Sequence, residues 1–256
     1  MAIGLLITSV ALLGVFVVVE LRSRAPIMPF RIFRLRNLRT ANIIFLLLGA
    51  SLFSQFFLLS LYMQNILHFS ALRTGVAYVA TTVTSIVFAG VGQALVTKFG
   101  VKPILTVGLG MAALTIGVWY TRLPVDGTYT GNLLVPFLIS GAGLGLSFVP
   151  GSIAALSSVK PQDAGLASGL LNTSPQIGGA IGLAVAATLA TTYTTRFFTS
   201  HPGATPSQAI VSGFHVAFVV LAALALAGAL VAALFIEGRG VGTGQEPERE
   251  TVAAEA

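Results

Sequence analysis

The chain has 256 residues, no cysteine, 55% hydrophobic residues and only 9% charged ones, against about 25% charged in a typical soluble domain. This composition excludes a soluble globular fold, and the absent cysteine excludes a disulfide framework or a thiolate metal site. The formal charge of +6 could suggest nucleic acid, but the basic residues cluster between apolar runs, as they do at a membrane surface.

A helix needs about 20 apolar residues to cross the hydrocarbon core. Seven stretches qualify, approximately 2–19, 41–63, 75–96, 103–120, 132–156, 173–192 and 212–236. Backbone groups in lipid must be bonded internally, and these runs do not alternate as barrel strands do, so all seven are expected to be helices. Residues 1–20 form the first span. They lack a basic leader and are followed by arginines, unlike a cleaved signal. Residues 21–40, "LRSRAPIMPFRIFRLRNLRT", are a basic linker. Lipid-headgroup or nucleic-acid binding is one reading of it. The plainer reading is preferred: an orientation signal whose arginines reach lipid phosphates, because basic and apolar residues do not separate into two helix faces. Residues 41–237 hold the remaining six spans, and residues 238–256 are a Gly-rich, then acidic tail expected to be disordered.

The connections set the orientation. Arg22, Arg24, Arg31, Arg34, Arg36 and Arg39 fill the first, Lys98 and Lys102 the third, Lys160 the fifth, and Arg239 and Arg249 the tail. The even-numbered connections hold one basic residue each: Arg73, Arg122 and Arg196. Basic residues favour the cytoplasmic side, so the N-terminus is expected outside and the C-terminus in the cytoplasm. Trp119 and Tyr120 close the fourth span, where an aromatic belt belongs. The 11 arginines against 3 lysines hint at a GC-rich bacterial genome, and hence at the inner (plasma) membrane. No connection is long enough to house a soluble enzyme domain.

Polar residues within the spans are the candidates for function. Gln55 sits inside the second span near Ser51 and Ser54, where it requires either a water-filled cavity or an interhelical hydrogen bond. Asn172, Thr173, Ser174 and Pro175 either cap a helix start or, with Gln176, line an aqueous pathway. Gly178, Gly182, Ala186 and Ala190 recur every four residues and make one smooth face for close helix packing. Gly141, Gly143 and Gly145 lie mid-span. They are read the same way, because a dinucleotide fingerprint would need a preceding strand and a third glycine where Leu146 stands. His68, His201 and His215 have no metal-site spacing and are read as structural or surface residues. No cofactor and no metal are expected. All eight acids fall in connections, the tail or a span's edge, so this stretch of chain carries no acid at depth for a proton relay of its own.

Three stretches carry a family resemblance. Residues 61–79, "LYMQNILHFSALRTGVAYV", resemble a span-and-loop signature of multidrug antiporters. Residues 143–185, "GLGLSFVPGSIAALSSVKPQDAGLASGLLNTSPQIGGAIGLAV", resemble a later signature, and residues 24–34, "RAPIMPFRIFR", the cytoplasmic linker. Together they are similar to the C-terminal half of the fourteen-span drug:proton antiporters, the QacA/EmrB type of the major facilitator superfamily. The resemblance implies an all-α integral membrane protein, with one extra central helix preceding a six-helix C-terminal bundle of the major facilitator fold. It implies a small-molecule substrate, protons and membrane lipid as partners, together with an N-terminal transporter half, and no nucleic acid. Lys98, Gly100 and Lys102 resemble a remnant of the superfamily's cytoplasmic loop motif, with Thr97 where an acid would stand. The family's proton-carrying acid and its arginine belong mostly to the first half. On this reading Met1 is an internal methionine of a longer frame, or the gene is truncated.

The expected function is therefore transport rather than catalysis: one wall of a proton-driven exporter of drugs or small amphipathic metabolites, incomplete by itself. Gln55, Tyr62, Asn172 and Gln176 are the candidate pathway residues, giving hydrogen bonds within a mainly apolar pocket. The alternatives are a seven-span receptor or light-sensing protein and a non-transporting gene remnant. A retinal protein would need a lysine within a span, whereas Lys98, Lys102 and Lys160 all lie in connections.

Overall fold

A computed structural model describes residues 2–23 and 30–237. The expectations for residues 24–29, for the tail and for the charges they carry lie outside the described residues. Helix α1 (Ala2–Arg22) is continuous over 21 residues, about 31 Å at 1.5 Å per residue, enough to cross the hydrocarbon core. Its Leu12, Leu13, Phe16 and Leu21 are exposed.

Seven further helices follow: α2 (Arg36–Asn65), α3 (Ala71–Ala77), α4 (Val79–Phe99), α5 (Val101–Leu114), α6 (Leu134–Leu156), α7 (Ala164–Ser200) and α8 (Pro206–Phe235). Helices α3 and α4 form one span broken at Tyr78. Helix α5 runs on through a π-helical turn, Thr115–Trp119, and a 3-10 turn, Tyr120–Arg122. Among the described residues six segments, Arg36–Asn65, Ala71–Phe99, Val101–Arg122, Tyr129–Leu156, Pro161–Ser200 and Pro206–Phe235, are long and apolar enough to cross a membrane. The chain is thus an all-α, multi-pass membrane protein.

The helices extend past the apolar windows. Helix α7 has 37 residues, about 55 Å, where about 30 Å of hydrocarbon needs only about 20. The helix-start reading of Asn172–Pro175 is therefore corrected: these residues lie inside α7, a full two turns past its first residue. Asn, Ser and Pro are good first-turn residues, so the sequence alone reads as a helix start here. Mid-helix they are tolerated because Asn172 Nδ2 donates to the Ser168 carbonyl at 3.0 Å and Thr173 Oγ1 to the Gly169 carbonyl at 2.9 Å.

The bundle packs in two groups. Helix α2 lies against α7 and α8, α4 against α6, and α5 bridges α6 and α8. One core cluster, toward the end where α2 finishes, gathers Leu58, Tyr62, Tyr120, Phe137, Phe214 and Phe218. The other, at the opposite and basic end, gathers Leu38, Phe45, Leu105, Ala155, Ala232 and Ile236. Ile32, in the 3-10 turn Phe30–Arg34, plugs into this second cluster. Around it Arg31 pairs with Asp163 at 3.7 Å and Arg36 with Glu237 at 3.2 Å. The second half of the basic linker is thereby seated on the bundle end. By contrast α4 buries only Thr81, Gly92 and Val96 and presents Val83, Ile86, Val87 and Val91 outward.

Candidate functional site

The seam between α2 and α7 is built on small residues. A β-carbon at Gly178 would meet the Leu46 carbonyl, one at Gly182 the backbone of Ala50, and one at Gly49 the backbone of Pro175. Gly179 abuts the Phe53 ring. Only hydrogen at these positions lets the two backbones touch, which in lipid yields dispersion contacts that bulkier residues would block. The glycines of α6 are used similarly: Gly141 faces Thr81 of α4, Gly145 faces Ser85 and Ala89 of α4, and Gly143 faces Gly108 and Ala112 of α5. A polar contact pins the α2–α7 seam, with Ser174 Oγ donating to Asn42 Oδ1 at 2.6 Å while Asn42 Nδ2 donates to the Leu38 carbonyl at 2.8 Å.

Two cavities open along this seam. The first, of about 520 Å³, is lined by Leu48, Leu52, Phe53 and Phe148 on one side and Asn172, Gln176 and Leu183 among others on the other. The second, of about 340 Å³, lies further along the same two helices, between Phe57, Leu61 and Asn65 of α2 and Ala187, Thr191, Thr194 and Thr195 of α7, with Ile210 and Phe214 of α8 closing it. They form an apolar groove with neutral hydrogen-bonding groups toward each end and no ionisable side chain in either lining. Such a groove suits a ligand with an apolar body and a few polar groups.

The four candidate pathway residues divide. Asn172 and Gln176 are exposed and line the first cavity. Gln176 Nε2 donates to the Asn172 carbonyl at 3.2 Å. Gln55 and Tyr62 are buried in the bundle instead. Gln55 Nε2 donates to Ser140 Oγ of α6 at 3.5 Å, and Ser140 Oγ lies 3.3 Å from the Tyr120 hydroxyl. Gln55 thus makes an interhelical hydrogen bond from α2 to α6. The hydroxyl of Tyr62 donates to the Pro124 carbonyl at 2.6 Å and holds down the connection before α6.

Sequence reasoning passed over Ser140, Tyr78 and Asn42. Tyr78 stands at the α3–α4 break, its ring stacked on Phe137 at 5.1 Å and its hydroxyl donating to the Phe56 carbonyl at 2.8 Å, with Ser60 Oγ 3.1 Å away. A tyrosine or serine inside an apolar run was the available signal. At the basic end Gly100 turns the chain between α4 and α5 with φ 83°, a left-handed value that favours glycine. Lys98 and Lys102 flank it, Lys98 with its ammonium 5.3 Å from the Phe99 ring centre.

A bundle of long apolar helices with glycine-lined seams defines the class of polytopic membrane proteins. Within that class, this chain belongs to the Major Facilitator Superfamily, whose family model matches residues 1–183 and 41–255. It is 38% identical over 68% of its length to the cephamycin export protein of Amycolatopsis lactamdurans, of which the match covers 36%. It is 29% identical over 93% of its length to the puromycin resistance protein of Streptomyces alboniger, covering 48%, and 30% identical over 72% to the lincomycin resistance protein of Streptomyces lincolnensis, covering 38%. The chain thus spans between about a third and a half of the relatives it matches.

Proposed function

We propose that this chain is the C-terminal half of a proton-coupled exporter of drugs or small amphipathic metabolites, and that it works with an N-terminal half. The observation that carries the reading is the α2–α7 groove, about 520 Å³ and 340 Å³ of apolar cavity edged by amides and hydroxyls. Transporters of this type place the substrate near the midplane between two six-helix bundles that rock against each other. Asn172 and Gln176 supply hydrogen bonds to the substrate on this side. Export by the Amycolatopsis relative and drug resistance in the two Streptomyces relatives support the substrate class.

Coupling to protons requires an ionisable group at membrane depth. The charged residues of the described helical segments sit toward their ends: Glu20 and Arg22 in α1, Arg36 and Arg39 in α2, Arg73 in α3, Lys98 in α4, Lys102 at the start and Arg122 at the end of the α5 span, and Asp163 just before and Arg196 near the end of α7. The proton site is accordingly assigned to the other half. The basic end faces the cytoplasm, in keeping with the arginine and lysine bias. Ethidium efflux from cells expressing the chain with and without an N-terminal half of the same family tests this. Efflux only in the paired strain is expected, and equal efflux by the chain alone contradicts it.

A further inference from the structure

A third cavity, of about 510 Å³, lies at the end of the bundle opposite the basic one and shares no lining residue with the two cavities of the α2–α7 groove. One wall is the connection between α2 and α3 with the first turn of α3, which carries Arg73; the other is residues 125–130, before α6. Both are pinned to the bundle. Phe69 N–H donates to the Met63 carbonyl at 2.9 Å, and Ser70 caps α3. On the other wall Tyr62 holds Pro124, His215 Nε2 lies 2.8 Å from the Leu123 carbonyl, Asn132 Oδ1 accepts from Thr128 N–H at 2.9 Å, and the Tyr129 hydroxyl donates to the Ala77 carbonyl at 2.9 Å. These contacts make the cavity a preformed one.

Its chemistry differs from that of the groove. Arg73 and Asp126 line it together but do not pair, since the ion pairs among the described residues are Arg31–Asp163 and Arg36–Glu237. The guanidinium carbon of Arg73 lies 3.9 Å from the centre of the Phe69 ring. A cation–π contact of this kind holds the guanidinium at the cavity wall, and a guanidinium can grip a carboxylate with two parallel bonds. The Asp126 carboxylate offers acceptors for an ammonium, while Ile66, Leu67, Phe69 and Tyr129 supply apolar and aromatic wall.

We propose that this cavity binds a small zwitterion with an apolar or aromatic body, its carboxylate at Arg73 and its ammonium at Asp126. A ligand of one charge satisfies one wall and leaves the opposite charge of the site unpaired beside it. A zwitterion satisfies both, so discrimination comes from the pair. The site does not depend on the groove or on the transport reading.

The test is saturation-transfer NMR and equilibrium dialysis on the purified chain in phosphatidylcholine nanodiscs, with L-phenylalanine, phenethylamine and 3-phenylpropanoate as probes. Phenylalanine is expected to bind saturably and at least about tenfold tighter than either single-charge analogue, the scale of one lost charge-assisted contact. Arg73→Gln and Asp126→Asn are each expected to weaken phenylalanine by about tenfold while far-UV circular dichroism stays unchanged. Absence of saturable phenylalanine binding by the unaltered chain overturns the proposal, as does phenethylamine or phenylpropanoate binding as tightly as phenylalanine. The probe series on the unaltered chain decides the matter even if a variant misfolds.

Discussion

Gly178 of α7 rests on the backbone carbonyl of Leu46 in α2, with no room between them for a β-carbon. Gly182 meets Ala50 one turn further on, so the two positions together set the distance between the helices. Gly178→Ala and Gly182→Ala each force them apart, and overpacking of this kind costs about 1–3 kcal/mol. Gly110→Ala is the comparison: nothing lies within 4 Å of its β position, and it sits inside α5. That substitution is expected to be neutral or to raise stability by roughly 0.5–1 kcal/mol, because alanine favours helix. Thermal unfolding in detergent micelles, followed by circular dichroism, separates the two cases. Equal midpoints for Gly178→Ala and Gly110→Ala would show that the seam is loose.

Gln55 and Asn172, both polar residues in apolar runs, should respond differently. Gln55 is buried and bonded to Ser140 across to α6, so Gln55→Leu loses an interhelical bond, worth about 0.6 kcal/mol on average and up to about 1.7 kcal/mol in membrane proteins. Asn172 is exposed and bonds to its own helix, so Asn172→Leu is expected to leave the melting midpoint unchanged. In a paired, active transporter Asn172→Leu and Gln176→Leu should instead change the concentration of substrate giving half-maximal efflux. Loss of stability without any change in efflux would remove both from the pathway.

Tyr62→Phe removes one oxygen and leaves the Pro124 carbonyl without its donor at 2.6 Å. An orphaned acceptor of this kind costs about 1–2 kcal/mol. The loss should be local. Amide hydrogen exchange is expected to speed up in residues 123–128, and to stay unchanged in α7. Uniform acceleration through the bundle would instead show that the Tyr62 hydroxyl supports the whole core rather than the connection alone.

Ile32→Ala and Arg36→Gln test what seats the linker on the bundle. Ile32 is 2% exposed, and truncating a buried isoleucine to alanine costs about 2–5 kcal/mol. The Arg36–Glu237 pair is half-exposed on both sides, and surface ion pairs contribute about 0–1 kcal/mol. Limited proteolysis at the linker should therefore rise sharply for Ile32→Ala and little for Arg36→Gln, at low and high salt alike. The reverse order would make the ion pairs the fastening.

Hydropathy found the spans because each apolar run is long and its charges lie at the ends. It found their edges poorly. The segment Thr191–Ser200 reads as polar, yet it continues α7, since Thr191 and Thr195 turn their hydroxyls back onto carbonyls four residues earlier. Pro175 suggested a helix start. Inside α7 it only withholds the N–H that the Leu171 carbonyl would have received. The break at Tyr78 left no trace in sequence, having neither proline nor a glycine run, and it depends on tertiary contacts of the ring with Phe137 and of the hydroxyl with α2. Asn172 and Gln176 were recognisable as polar residues, but which side of a helix faces a groove is fixed by the neighbouring helix. For the same reason Gln55 could not be told from them by composition.

The most direct test of the central claim uses the purified 256-residue chain in liposomes, with an imposed pH gradient and ethidium as the probe. A single bundle whose charges lie at its helix ends should move no more dye than empty liposomes, with or without the gradient. Saturable dye movement that follows the gradient and collapses with a protonophore would contradict the half-transporter reading outright.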